Sequence, residues 1–392
     1  MERADAIIVG AGVMGTSIAF NLARRRFGRI LLLEKNTICS GTSAKSSAIV
    51  RTHYTTRPTA QMALLARRMF ERFREEVGGG ESGFVKTGKL FIGEPDHGDR
   101  VASTVRMNQE LGIETGFVSP EEARRIEPLL TFPPGAPVVY EPHSGYASPH
   151  DVASSYARRF VELGGEIHQG RHVTGIDISA GRVRAVRTDR GPIATAHVVI
   201  AAGPWADQVG RLAGIHLPVK PSRQSVITLR PKFEFGNSHP VVADLVNGVY
   251  FRPETGNLIL LGNTRHGDDR PGDPDHYEDR PDPAESVDLV ERLSRLMPLA
   301  AEAEIVGGWS GMYEISPDWN PIIGTAPATA GLHYSVGFSG HGFKLSPIVG
   351  VLMAELVADG KASTLDIAPY RLERFAEGRE LRIGYQHAGV IG

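Results

Sequence analysis

The chain has 392 residues, 41% hydrophobic and 22% charged, which is a globular composition with length for two domains of ordinary size. A formal net charge of −2 gives no long-range attraction to nucleic acid or to an anionic membrane, and the apolar runs stop far short of the ~20 residues a membrane helix needs. One cysteine, Cys39, excludes an internal disulfide and a cysteine metal cluster. The start, Met1 to Asp5, is too short and too charged for a signal peptide, so a reducing cytoplasm is the expected location.

The first predicted unit is a strand, a glycine turn, a helix and a second strand. Ala6-Ile7-Ile8-Val9 leads into Gly10-Ala11-Gly12-Val13-Met14-Gly15, a helical pattern runs to about Arg26, and Ile30-Leu31-Leu32-Leu33 ends in Glu34, 24 positions beyond Gly10. This is the context a dinucleotide fingerprint requires. Gly10 permits the tight turn, Gly12 lets the backbone approach a pyrophosphate, and Gly15 lets the helix lie close to the sheet. The helix N-terminus offers N–H groups and a positive dipole end to phosphates, and Glu34 offers a carboxylate to ribose hydroxyls. FAD and NAD share the adenosine diphosphate half, so the motif alone does not choose between them. Arg24-Arg25-Arg26 is read as a dipole-complementing, solvated cluster at the helix end.

Cys39 to Ser47 is small and polar except for Lys45, a segment that cannot build core but can wrap a cofactor with hydroxyls and backbone. Ala48-Ile49-Val50 then sets Arg51 directly after a buried-looking run. Helical spacing follows from Pro58 to Val77, with Pro58 in the first turn. From Lys86 the texture changes: Thr87 to Ile92 reads as a strand, Arg100 to Leu111 as a helix, and Ser119-Pro120-Glu121-Glu122 as a capping box.

A helix is predicted from His150 to Leu163, then strands at Glu166 to His168, His172 to Ile178, Arg182 to Thr188 and His197 to Ala202. His168 and His172 flank Gly170 between strands instead of sharing a helix face, and no metal site is expected. Ala202-Gly203-Pro204-Trp205 is a further strand-to-helix junction of the kind at which ligands bind. Val219 to Leu229, Val241 to Pro253 and Leu258 to Gly262 suit a hairpin-connected antiparallel sheet. His266 to Ser286 is a polar, proline-rich exposed loop, Ala284 to Met297 an amphipathic helix, and Glu304 to Tyr313 a strand. Leu332 to Phe338 is a buried strand that feeds Gly337 to Lys344, followed by a helix from Leu345 to Asp359 with Pro347 in its first turn. Three glycines there, Gly337, Gly340 and Gly342, present a second cluster of backbone donors. A flavin ring has use for such an element at N1 and O2, and a nicotinamide has none.

The order of these motifs resembles the D-amino-acid oxidase superfamily of flavoproteins over nearly the whole chain, the proline-rich loop near residue 270 and the tail after about Glu377 excepted. Within it the chain is similar to sarcosine oxidases, and Lys45 to Tyr54 to the beta subunits of multi-subunit sarcosine oxidases and related dehydrogenases. The resemblance implies an α/β fold with a discontinuous Rossmann-like FAD-binding domain (1–86, 144–221 and 310–392) and a smaller α+β substrate domain with an antiparallel sheet (87–143 and 222–309). It also implies hydride transfer to flavin N5 from the carbon next to an amine nitrogen, giving an imine.

Cofactor contacts are implied for Gly10, Ala11, Gly12, Val13, Met14 and Gly15, for Glu34 with Lys35 beside it, and for Thr42, Ser43, Ser46, Ser47 and Val173. The junction residues Ala202, Gly203 and Trp205 join them, as do Gly311 and the loop residues Gly337, Gly340, His341, Gly342, Phe343 and Lys344. Arg51 and Lys344 are the implied carboxylate holders, Tyr313 lines the substrate pocket, and His341 is a packing histidine near the flavin. The sequence departs from the monomeric sarcosine oxidases at Gly311, where they carry the cysteine that anchors flavin; at Ala44 and Ala48, where they carry a histidine and an arginine; and at Leu260, where they carry an oxygen-activating lysine. FAD is therefore expected to be held without a thioether. A role as the flavin-binding subunit of a larger dehydrogenase, relaying electrons to a partner, is the alternative to independent turnover.

Overall fold

The computed structural model of the protein describes residues 2–265, 270–381 and 384. Six strands make one sheet in the order Glu166–His168, Ile30–Leu33, Ala6–Val9, His197–Ile200, Leu332–Val336 and Ile322–Thr325, parallel except for the last pair. The central strands are runs of Val, Ile and Leu because both faces of the sheet are covered. On one face lie the helices Val13–Arg24, Arg57–Glu71, Pro149–Glu162 and Gly342–Asp359; on the other, the strands Val173–Ser179, Arg182–Thr188 and Gly191–Ala194. Leu31 and Leu32 are fully buried on opposite faces, each contributing about 1.5–3 kcal/mol of apolar burial.

A second sheet has eight strands in the order Glu304–Ile315, Lys220–Arg230, Leu258–Asn263, Val249–Glu254, Val241–Asp244, Lys89–Ile92, Val138–Glu141 and Gly116–Phe117. One face packs on the helix Pro283–Leu296; the other, with Phe91, Val226, Tyr250 and Leu260, packs with Ile49 and Trp309. The sheet is antiparallel except where Val241–Asp244 runs parallel to Lys89–Ile92. Residues 93–240 separate those two strands in the chain, so no hairpin dictates their direction.

The expected single run from Val241 to Pro253 is two strands. Asp244 Oδ1 accepts the backbone N–H groups of Val246 and Asn247, and Gly248 follows at φ +73°, which closes a tight turn. The stretch from Pro58 to Val77 likewise divides into Arg57–Glu71 and Phe73–Val77 at Arg72. The last long helix begins at Gly342, three residues earlier than expected, so Pro347 lies inside it. The Phe343 carbonyl, which Pro347 cannot bond, accepts the Ser346 hydroxyl at 2.8 Å. The capping box at Ser119 is formed in both directions with Glu122.

Candidate active site

The first strand ends where the backbone must pass closest to its neighbour. A Cβ on Gly10 would stand 2.5 Å from the Ala201 carbonyl oxygen, and one on Gly15 would stand 1.8 Å from the Gly10 carbonyl oxygen. No side chain fits at either place, and the helix Val13–Arg24 therefore starts hard against the sheet. Its N-terminus faces a cavity of about 620 Å³. Gly10, Gly12, Val13 and Met14 border the cavity at this end, together with Glu34, Lys35, Thr42, Ser43, Ser46, Ser47 and Val173. Glu34 is held by the Ala11 N–H on Oε2 at 2.8 Å and by the Asn36 N–H on Oε1 at 2.9 Å. Ser43 Oγ accepts the Val13 N–H at 3.0 Å, the first orphan donor of the helix.

Ala202, Gly203 and Trp205 line the wall, and Gly311, Tyr313, Gly340, Gly342 and Phe343 close the far end. Of the residues expected to meet the cofactor, Ala11, Gly15, Gly337, His341 and Lys344 lie outside the lining: the first two shape the turn, and Gly337 opens the C-terminal loop at φ +70°. A Cβ on Gly311 would lie 2.7 Å from Lys45 Cβ, so the strand passes beneath the 42–45 turn only without a side chain there. A long cavity with a helix N-terminus and a backbone-bound acid at one end, and a glycine loop opening a second helix at the other, fits an extended dinucleotide that carries phosphates in its middle.

Arg51 and Lys344, 293 positions apart in the chain, are both buried. Arg51 lies with its guanidinium 4.1 Å over the Tyr54 ring and donates from Nη1 to the His53 carbonyl. Tyr54 Oη meets His341 Nδ1 at 3.1 Å, and His341 is the N-cap of the helix that carries Lys344 in its first turn. Burial, then Arg51 and Lys89, push the Lys344 ammonium well below its ordinary range. His341 thus links the segment that carries Arg51 to the helix that carries Lys344.

Four participants carried no motif. Lys89 and Glu141, each 1% exposed, pair at 3.2 Å, and Glu141 Oε1 accepts both the N–H and the hydroxyl of Thr52. The His53 ring stacks on Phe91 at 4.4 Å, and burial and then Lys89 lower it to about 3, a neutral imidazole. Their trace in the sequence is a charge inside an apolar run, Lys89 before Leu90-Phe91-Ile92 and Glu141 after Val138-Val139-Tyr140. Glu314, beside Tyr313, accepts the Phe338 N–H at 3.3 Å, and burial pushes its carboxyl up to about 7.

The proline-rich loop is exposed yet anchored: Asp275 reaches Lys35 and Trp205, Asp279 reaches Lys45, and Arg223 donates to the carbonyls of Glu278 and Arg280. Leu260 is fully buried in the apolar cluster that contains Phe91 and Tyr250. The sequence offers Arg265 or His266 as a replacement cation near Leu260; the Arg265 side chain packs over Gly248, and His266 lies outside the described residues. Among the described residues, no helix is long and apolar enough to cross a membrane.

Residues 5–356 match the DAO family, described as FAD dependent oxidoreductase. The chain is 30% identical over 384 residues to a glycine oxidase of Geobacillus kaustophilus, covering 95% of this chain and 97% of that one. It is 27% identical over 387 residues to a sarcosine oxidase subunit beta of Rhodobacter capsulatus, covering 96% and 90%. Among solved structures, an L-proline dehydrogenase from P. horikoshii superposes with a TM-score of 0.89 at 27% identity, covering 97% of this chain and all of that one. A fingerprint, a glycine loop and a cavity joining them over this length place the chain in the DAO family, and it is an FAD-dependent oxidoreductase.

Proposed function

We propose that the protein oxidises an amino acid or an N-methyl or other secondary amine bearing a carboxylate, sarcosine-like in form, at the carbon next to nitrogen. The observation that carries this reading is the convergence of Arg51, Lys344 and Lys89, three basic side chains from distant segments, on one buried cluster in which Glu141 pairs with Lys89. An anion brought among buried cations offsets part of the cost of burying them. A substrate carboxylate does so, and two cations on it fix the adjacent Cα–H in one orientation.

FAD held by Gly10 to Gly15, Glu34 and the Gly337 to Lys344 loop would supply a hydride acceptor for that carbon, the product being an imine. Arg51 and Lys344 hold the acid, Tyr313 walls the pocket, and the buried apolar face around Phe91, Tyr250 and Leu260 excludes water. Gly10 to Gly15, Glu34, the 42–47 segment and Gly337 to Lys344 are the proposed cofactor contacts. We assign residues 1–86, 144–221 and 310–392 to the FAD-binding domain and 87–143 and 222–309 to the substrate domain; a chain with one cysteine suits a reducing cytoplasm.

Anaerobic addition of a panel of amines to the yellow protein tests the activity. Bleaching by amino acids or N-methyl amino acids, and not by the matched amines without the acid, is expected. Similarity to a sarcosine oxidase beta subunit favours a second reading, a flavin-bearing subunit that relays electrons to a partner. Bleaching by no amine without an added partner protein would select it.

A further inference from the structure

Two contacts hold the Arg51 segment against the eight-stranded sheet. Phe91 carries the stacked His53 ring, and Glu141 bonds Thr52. Lys89 stands directly opposite Glu141 in the register of Lys89–Ile92 with Val138–Glu141 and takes its other oxygen. The groups that face this carboxylate are Lys89 from the sheet, Arg51, Thr52, His53 and Tyr54 from the 51–54 segment, and Arg67, itself paired with Glu71, from Arg57–Glu71; Lys344 faces Arg51 and Lys89, and His341 faces Tyr54.

Glu141 is thus an internal carboxylate inside a site that must receive an external one. An anion buried beside Arg51 competes with any incoming acid for that guanidinium unless its own charge is engaged elsewhere. We propose that Lys89 is a positioning residue for carboxylate recognition: by engaging Glu141 it keeps Glu141 from acting as the counter-ion of Arg51, and Glu141, so held, fixes Thr52 and thereby the direction of Arg51. The inference rests on the reading of Arg51 and Lys344 as carboxylate holders.

Carboxylate binding to the holoenzyme is followed through the visible flavin spectrum, with acetate and propionate as probes and acetamide and propionamide as neutral controls. In the wild type the acids should perturb the spectrum and the amides should not; equal binding of acid and amide overturns the carboxylate reading and this inference with it. Given wild-type binding, Lys89→Met should raise the Kd for both acids about tenfold or more, on the scale of one charge-assisted bond. Lys89→Met combined with Glu141→Gln should restore it to within about threefold, because a neutral amide keeps the Thr52 bond and no longer competes. A Kd unchanged in Lys89→Met, or unrestored in the double variant, overturns the inference alone. If Lys89→Met does not fold, Lys89→Gln, which keeps a donor opposite Glu141 but no charge, decides: weaker binding of both acids is expected, and an unchanged Kd overturns the proposal.

Discussion

The ammonium of Lys35 lies 2.5 Å from Asp275 Oδ1 and 3.9 Å over the Trp205 ring, while the Trp205 indole N–H donates to that same oxygen at 2.9 Å. Lys35 follows the acid of the dinucleotide fingerprint and Asp275 belongs to the proline-rich loop, so this contact ties the loop across one mouth of the cofactor cavity. Asp275→Ala should speed FAD release from the holoenzyme by no more than about fivefold, since a part-exposed pair is worth about 0–1 kcal/mol. Stopped-flow recovery of flavin fluorescence on dilution measures it, and an unchanged rate would show that the loop does not retain the cofactor.

Gly311 cannot carry a side chain without displacing Lys45, and Cys39 is buried with its thiol pushed up to about 12 by burial. No thioether to the flavin is expected from either place. Acid precipitation should leave the colour in the supernatant; a yellow pellet would contradict this.

Arg51→Ala should lower kcat/KM for a carboxylate-bearing amine roughly 10- to 150-fold, one charge-assisted hydrogen bond of about 1.5–3 kcal/mol. The loss should be much smaller for the matched amine without the acid. Equal losses would assign Arg51 to the fold or the flavin.

Lys344 has its pKa lowered by burial, then by Arg51 and Lys89, so the unliganded ammonium sheds its proton more readily than an ordinary lysine. A bound carboxylate raises that pKa again. Between the free and the liganded value, binding takes up a proton, and Kd should rise with pH; below the free value Kd should be flat. Calorimetry in buffers of different ionisation enthalpy reads the uptake, and Lys344→Met should abolish it. Uptake that persists in Lys344→Met would move the titration to another group.

Leu260 places hydrocarbon where the monomeric sarcosine oxidases are expected to carry a lysine, and the Arg265 side chain lies over Gly248. A cation near superoxide is worth about 4 kcal/mol at 4 Å and an effective dielectric near 20, and leucine supplies none of it. Reduced enzyme mixed with air-saturated buffer should reoxidise more slowly than it turns over with an artificial dye. Reoxidation faster than dye turnover would make the protein an oxidase.

Much of the fingerprint turn and of the C-terminal glycine loop was legible in the chain itself, because their constraints are local. Gly10, Gly12 and Gly15 are required by backbone approach within one strand-turn-helix unit, Glu34 ends the very next strand, and the glycines from Gly337 to Gly342 sit in one loop before one helix. The break at Asp244 and the early start of the final helix were missed for a related reason: each turns on a single side-chain bond, Asp244 to Val246 or Ser346 to Phe343, that apolar periodicity does not register. Lys89, Glu141 and Asp275 were decided only by tertiary structure. A lysine in a strand reads as solvated until the partner strand sets a glutamate opposite it, and an aspartate in a proline-rich loop shows no partner until the loop crosses to Lys35. Pairing between segments dozens to hundreds of residues apart leaves no period in the sequence, and the electrostatics of this site, with Lys89 paired to Glu141 and Lys344 buried beside Arg51 and Lys89, exist only once those segments have met.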